Sequence, residues 1–186
     1  MRRILPFALL FLSAACGRMP RVHYYDFSLE APARAAGPAA GVLCVQPFTS
    51  LPAGDQDRMV YRDSAWEIQF DAYRRWIAPP PDLLRERLVE YLRGSSRYAA
   101  VVTTPPRQEP FSVLAVQLLR FDETIAAEGR QAVTRLWFEL SDERGALLRS
   151  GYIEGSAEIT GADAGGLVEG MRASAARAFA ELLEKL

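Results

Sequence analysis

Residues 111–159 read FSVLAVQLLRFDETIAAEGRQAVTRLWFELSDERGALLRSGYIEGSAEI, and their patterning decides the fold. Phe111 to Asp122 is long and largely apolar, as expected of a strand buried in a sheet. Ala127-Glu-Gly-Arg130 is a turn. From Gln131 to Leu140 the residues alternate, with Ala132, Leu136, Phe138 and Leu140 on one face. Period-two alternation gives a strand with one side buried and one side wet. Ser141 to Gly145 turns again, and Ala146 to Ile159 returns. The stretch therefore predicts a three-strand antiparallel meander. Beyond it, Asp163 with Gly165 and Gly166 opens a helix. Val168, Met171, Ala175, Ala178, Phe179 and Leu182 repeat every three to four residues and form its apolar face.

Upstream of the meander, Tyr98 to Val102 is a short strand followed by a proline-rich loop, Thr103 to Pro110. A first helix is introduced by Pro79-Pro-Pro81, since proline is tolerated where the backbone N–H would be unpaired anyway. Leu84, Leu88, Tyr91 and Leu92 form its apolar stripe, and Gly94 is placed for a left-handed cap. Before it, Met59-Val-Tyr-Arg62 and Trp66-Glu-Ile-Gln-Phe70 flank a turn at Asp63-Ser64 and predict a hairpin. In its second arm Trp66, Ile68 and Phe70 alternate with polar residues, and Tyr73-Arg-Arg-Trp76 leads out of it. Val42 to Phe48 is a short apolar strand, Glu30 to Gly41 an Ala/Pro/Gly surface linker, and Val22 to Leu29 an aromatic-rich strand. Strands, helix, strands, helix in that order predict a single α+β domain: a mainly antiparallel sheet with two main helices packed on one face.

The N-terminus carries a different signal. Arg2 and Arg3 precede an apolar run, Ile4 to Leu12, then the small residues Ser13, Ala14 and Ala15, then Cys16. This is the pattern of a secretory signal. Ile4 to Ala15 spans only about 18 Å as a helix, against the roughly 30 Å of a hydrocarbon core. Leu12-Ser-Ala-Ala-Cys16 resembles the lipobox of bacterial lipoproteins, with Ser13 where the family prefers leucine. The resemblance implies cleavage before Cys16 and acylation of its thiol. The expected organisation is a signal peptide over 1–15, a lipidated tether over 16–21 and a domain over 22–186.

Composition bounds the rest. Hydrophobic residues make up 49% and charged residues 24% of the chain, as in an ordinary globular protein. The 22 basic residues lose Arg2 and Arg3 with the signal and face 23 acids, leaving a net charge near −3. No basic stripe suggests a nucleic-acid partner, so membrane attachment falls to the acyl chains on Cys16. The remaining cysteine, Cys44, sits in an apolar strand and reads as a buried thiol.

Catalytic chemistry finds little material. His23 is the only histidine, so no His/Cys metal set can be built. Gly151-Tyr-Ile-Glu-Gly155 and Gly161-Ala-Asp-Ala-Gly-Gly166 lack the Lys-Ser/Thr of a phosphate loop. Asp122/Glu123 and Asp142/Glu143 lie at strand ends or turns, where solvated acids are the default. No cofactor, metal or catalytic residue is expected, and the chain reads as a non-enzyme. The aromatic cluster Tyr61, Trp66, Phe70, Tyr73 and Trp76 admits two readings. One is sheet core with an aromatic brace on the first helix. The other is an exposed partner-docking surface carried by Tyr61, Trp66, Tyr73 and Trp76, residue types enriched at interface hot spots.

Four ordered pieces carry a wider resemblance: Tyr24-Tyr25-Asp-Phe-Ser-Leu29, Val60-Tyr-Arg62, Tyr73-Arg-Arg-Trp76 and the Pro79-Pro-Pro81 helix start. Together they resemble the ABC-type transport auxiliary lipoproteins, the PqiC-like group. That resemblance implies a non-enzymatic outer-membrane lipoprotein on the periplasmic face. Its implied partner is an MCE-domain periplasmic subunit of an ABC transporter engaged in intermembrane lipid transport, with a homo-oligomer also conceivable. Gly17 lacks the aspartate that marks inner-membrane retention in enteric bacteria. Two alternatives stay open: a structural lipoprotein of envelope assembly, and a periplasmic lipid-binding module without a transporter.

Overall fold

The computed structural model describes residues 20–186 except 108, 109 and 128, and Ala53 by its backbone alone. Cys16 and the signal-like segment lie outside the described residues. Among the described residues nine strands and two α-helices are formed: β1 His23–Tyr25, β2 Ala40–Val45, β3 Thr49–Ser50, β4 Arg58–Arg62, β5 Gln69–Trp76, α1 Pro80–Ser95, β6 Tyr98–Val102, β7 Phe111–Ala126, β8 Gly129–Asp142, β9 Leu147–Glu158 and α2 Ala164–Lys185. The fold is α+β, one domain, with a mostly antiparallel sheet, as the patterning predicts.

β7 is the spine. Its 16 residues extend over about 53 Å at ~3.3 Å per residue. One edge pairs antiparallel with β8, which pairs antiparallel with β9, completing the meander. The other edge takes β2, β3 and β4 in succession, all parallel. β6 then extends the sheet beyond β2, and β5 and β1 extend it beyond β4. Only a strand this long can seat three short ones end to end, a consequence that periodicity alone does not reveal. A register shift between Leu118 and Arg120 changes the facing of β7. Leu114, Val116 and Leu118 point at the core before it, Phe121 and Glu123 after it.

Both helices cover the core-facing side and meet where Tyr91 approaches Phe179, ring centres 6.0 Å apart. Leu84, Leu88 and Leu92 of α1 and Ala175, Ala178, Phe179 and Leu182 of α2 are fully buried. Each large one stabilises by about 1.5–3 kcal/mol relative to exposure. The α2 stripe begins at Leu167 rather than Val168 and includes Gly170 and Ser174. Ser174 is sealed inside with its hydroxyl 2.8 Å from that of Thr134 on β8. As expected, Asp163 caps α2, accepting from the Gly166 N–H at 3.0 Å. No helix among the described residues is long and apolar enough to cross a membrane.

Four expectations are corrected. The left-handed cap of α1 is Ser96, φ 55°, not Gly94. Gly94 lies within the helix, where the linker crosses it closely: a Cβ there would lie 2.9 Å from that of Ala31. That linker also caps the helix, since the Ala35 N–H donates to the Ser95 carbonyl at 2.8 Å. β1 is shorter than Val22–Leu29, because the Asp26 carboxylate turns back to accept from the Phe27 N–H at 2.7 Å. The hairpin's second arm starts at Gln69, not Trp66. Ser64 Oγ accepts from the Glu67 N–H at 3.0 Å, so a local turn consumes the residues whose alternation mimicked a strand. Finally, Tyr73-Arg-Arg-Trp76 lies inside β5. The Asp71 carboxylate accepts from the Tyr73 and Arg74 N–H groups at 2.8 and 2.7 Å and bulges the strand there. Burial pushes the Asp71 carboxyl up, but those bonds and the Arg74 guanidinium outweigh it and hold it below the usual carboxylate range.

Candidate docking surface

β4 and β5 project as a hairpin whose connection carries Trp66. This side chain is 88% exposed, the most exposed of the large apolar residues. Beside it runs the far end of β7, held by the Tyr61–Glu123 and Arg62–Thr124 pairings. Between hairpin and β7 lies a groove of about 600 Å³, with Arg62, Arg120 and Arg135 in its walls and Ile125 at its rim.

Asp122 organises this groove. It is 2% exposed and accepts from two guanidiniums: Arg62 Nε at 2.8 Å, and Arg120 Nη2 at 2.5 Å with Nε at 3.2 Å. Arg120 also donates to Thr124 Oγ1 at 2.9 Å. One buried carboxylate thus fixes two arginines on adjacent strands, and the trio keeps a net positive charge. Arg135 pairs with Glu154 on β9. The arrangement offers oriented guanidinium donors beside an exposed indole, a combination suited to protein recognition.

The expectation of solvated acids fails at Asp122 and Glu123. Both are buried, and as consecutive strand residues they point to opposite faces, Glu123 toward Arg130. They cannot act as a carboxylate pair. Asp142 is a turn acceptor for the Arg144 and Ala146 N–H groups at 2.9 and 2.8 Å. His23 is exposed on β1, and Cys44 is buried, its thiol pushed up by that burial although Arg85 opposes it. Among the described residues no group of three or more His, Cys, Asp and Glu is placed to hold a metal ion.

The four aromatics proposed for docking are not brought together. Trp76 is 1% exposed and packs against Phe27 and Phe121 at 5.8 and 5.2 Å between ring centres, so it is core. Tyr61 is half-buried and braces the hairpin by donating to Gln69 Oε1 at 2.7 Å. Tyr73 is exposed, but midway along β5 and apart from the β4–β5 connection that carries Trp66. The arginine–aspartate trio went unnoticed in sequence, although Arg120 and Asp122 share a strand face by their two-residue spacing.

The model of the ABC-type transport auxiliary lipoprotein component family matches residues 25–182. The chain belongs to this family. The auxiliary lipoprotein's fold is similar to two solved structures. Protein XCC0632 from Xanthomonas campestris matches with a TM-score of 0.78 at 19% identity, over 87% of this chain and 92% of that one. The hypothetical protein CT253 from Chlamydia trachomatis matches with a TM-score of 0.53 at 11% identity, over 78% and 95%. No curated protein matches. The family places this auxiliary lipoprotein in the cell envelope, in association with an ABC transport system.

Trp66→Ala in the auxiliary lipoprotein is expected to leave stability within about 0.5 kcal/mol of the parent, because so exposed a side chain loses almost no packing. Urea unfolding midpoints of the two proteins check this.

Proposed function

We propose that the chain is a non-enzymatic docking lipoprotein of an ABC, MCE-type, intermembrane lipid-transport system. In this reading residues 1–15 are removed, Cys16 is acylated, 16–21 form the tether and 22–186 the working domain at the periplasmic face of the outer membrane. The observation that carries it is the family match over residues 25–182, taken with the lipobox-like Leu12–Cys16. The exposed Trp66 beside the arginine groove supplies the surface for an MCE-domain subunit. A protein that carries lipid itself would need a sizeable apolar cavity. Among the described residues the cleft between Leu51, Val60, Ile68 and Leu118 measures about 60 Å³, room for a few waters rather than an acyl chain, and the larger open cleft of about 620 Å³ beside Tyr152 and Ile153 is walled by the charged Arg120, Arg135, Glu154 and Glu181.

Crosslinking in cells followed by affinity purification tests the proposal. An MCE-domain protein is expected to recur among the captured partners, and its repeated absence from well-expressed samples would count against docking.

A further inference from the structure

Four of the exposed large apolar side chains sit together on the β1–β5 ribbon: Val22, Tyr24, Tyr73 and Ile77. Tyr24 is 61% and Ile77 54% exposed. Their facing follows from register. Tyr25 pairs with Trp76, and both turn toward the core, so the neighbouring Tyr24–Arg75 pair turns outward. Val22 alternates with His23 onto the side of Tyr24, and Ile77 follows Trp76 outward while its N–H donates to the Tyr25 carbonyl at 3.0 Å. β1 is an edge strand, with no further strand paired beyond it among the described residues, and the exposures of Val22, Tyr24, Tyr73 and Ile77 show this side open.

The chain itself says what covers it. From Cys16 to Val22 the backbone reaches at most about 21 Å fully extended. A folded domain of about 165 residues has a radius of gyration near 15 Å and is therefore roughly 40 Å across. With Cys16 acylated, a tether shorter than the domain keeps Val22 close to the lipid headgroups and prevents the opposite side from turning to the membrane. Chemistry agrees with geometry: tyrosines present an apolar ring and a polar tip, the character favoured at membrane–water interfaces. Arg21 is exposed at the start of the ribbon, and Arg75 on its outward side neutralises Asp57 at 3.3 Å.

We infer that the outward side of β1–β5, with Val22, Tyr24, Tyr73 and Ile77, lies on the lipid surface as a second, orienting contact beside the acyl anchor. The inference rests on acylation of Cys16 but goes beyond it, because an anchor alone sets no orientation. The exposed positions tolerate substitution, and buried Cys44 does not compete for a thiol label. Nitroxide labels are therefore placed one at a time in the lipidated chain by Tyr24→Cys, Ile77→Cys and, on the exposed side of α2, Ala180→Cys. The labelled proteins are measured on phosphatidylethanolamine/phosphatidylglycerol vesicles and, with Cys16→Ser added so that no acyl chain is present, in detergent-free buffer. Collision with a water-soluble nickel chelate is expected to fall several-fold at 24 and 77 on the vesicles, with collision by oxygen rising, and to stay unchanged at 180. Acylated, vesicle-bound protein whose positions 24 and 77 remain as chelate-accessible as in the Cys16→Ser protein in buffer overturns the inference while leaving the anchor intact. Protection at 24 and 77 already present in the Cys16→Ser protein in buffer means a second copy covers the ribbon, and also overturns it. A mass without acyl chains, together with failure to float with vesicles, removes the anchor and this inference with it.

Discussion

Gly155→Val is expected to leave the chain unable to fold stably, and Gly155→Ala to cost about 3 kcal/mol or more, beyond the usual range for an added methyl group in a packed core. Gly155 faces α2 from β9, and the helix backbone lies directly on it. A Cβ built there would stand 2.0 Å from the Ser174 carbonyl oxygen and 2.6 Å from the Ala178 nitrogen. Those are backbone atoms in the middle of a 22-residue helix, so relief requires lifting the helix rather than turning a side chain. The lift would open contacts around Ala175, Ala178 and Phe179, and would separate Ser174 from Thr134 in a place where water cannot substitute. Against a typical total of 5–15 kcal/mol such a loss is large. For a domain of this size the alanine variant should melt roughly 6–12 °C lower. Gly151→Ala is the matched control. It lies on the same strand, yet its Cβ would meet only the Phe138 ring at 3.5 Å, an ordinary contact. Thermal melts followed by circular dichroism should separate the two alanine variants, and equal melting temperatures would show that the helix does not press on Gly155.

Cys16→Ser is expected to move the protein from the membrane fraction to the soluble fraction. No helix among the described residues is long and apolar enough to cross a membrane, and the β1–β5 contact inferred above orients the domain rather than anchoring it. Buried acyl chain contributes about 0.8 kcal/mol per CH₂, and one chain alone binds marginally, so the firm attachment of a lipoprotein needs several chains on this one thiol. Serine removes the nucleophile that accepts the first of them. Fractionation with mass spectrometry of the N-terminal peptide checks both halves. Membrane retention of the serine variant that is also insensitive to globomycin would contradict the lipoprotein assignment.

The legible parts of the fold were those where one periodicity ruled. The β7–β9 meander and α2 followed from alternation and a three-to-four repeat, because each element buries one face along its whole length. The Trp66–Phe70 arm misled for the opposite reason: a five-residue alternation was outweighed by the Ser64 turn, a single hydrogen bond that composition does not reveal. Pairing partners were hidden too, since β2, β3 and β4 are all short and any could have met β7 or one another. The same holds for protection of the β9 edge. Arg177, Glu181 and Lys185, one helical turn apart, engage Ser156 O, Glu154 N and Tyr152 O in turn. Four helical residues rise about 6.0 Å and two strand residues about 6.7 Å, so the two ladders match and close an edge that would otherwise invite another strand. The only lysine of the chain is part of it.

For the candidate site, residue types were visible but not their company. Trp66 and Trp76 look alike in sequence, yet one stands in solvent and the other fills the core beside Phe27 and Phe121. Arg62 and Asp122 are sixty positions apart and meet only because β4 joins the far end of β7. Long-range pairing, not local pattern, builds the groove.

The docking claim is tested most directly by placing a photo-activatable benzoylphenylalanine at position 66 in the lipidated chain in living cells, with the same residue at position 180 as a control. The account predicts a crosslinked adduct from position 66 that contains an MCE-domain protein, and no such adduct from position 180. Folded, membrane-bound protein that yields the adduct from position 180 alone, or from neither position, would contradict it.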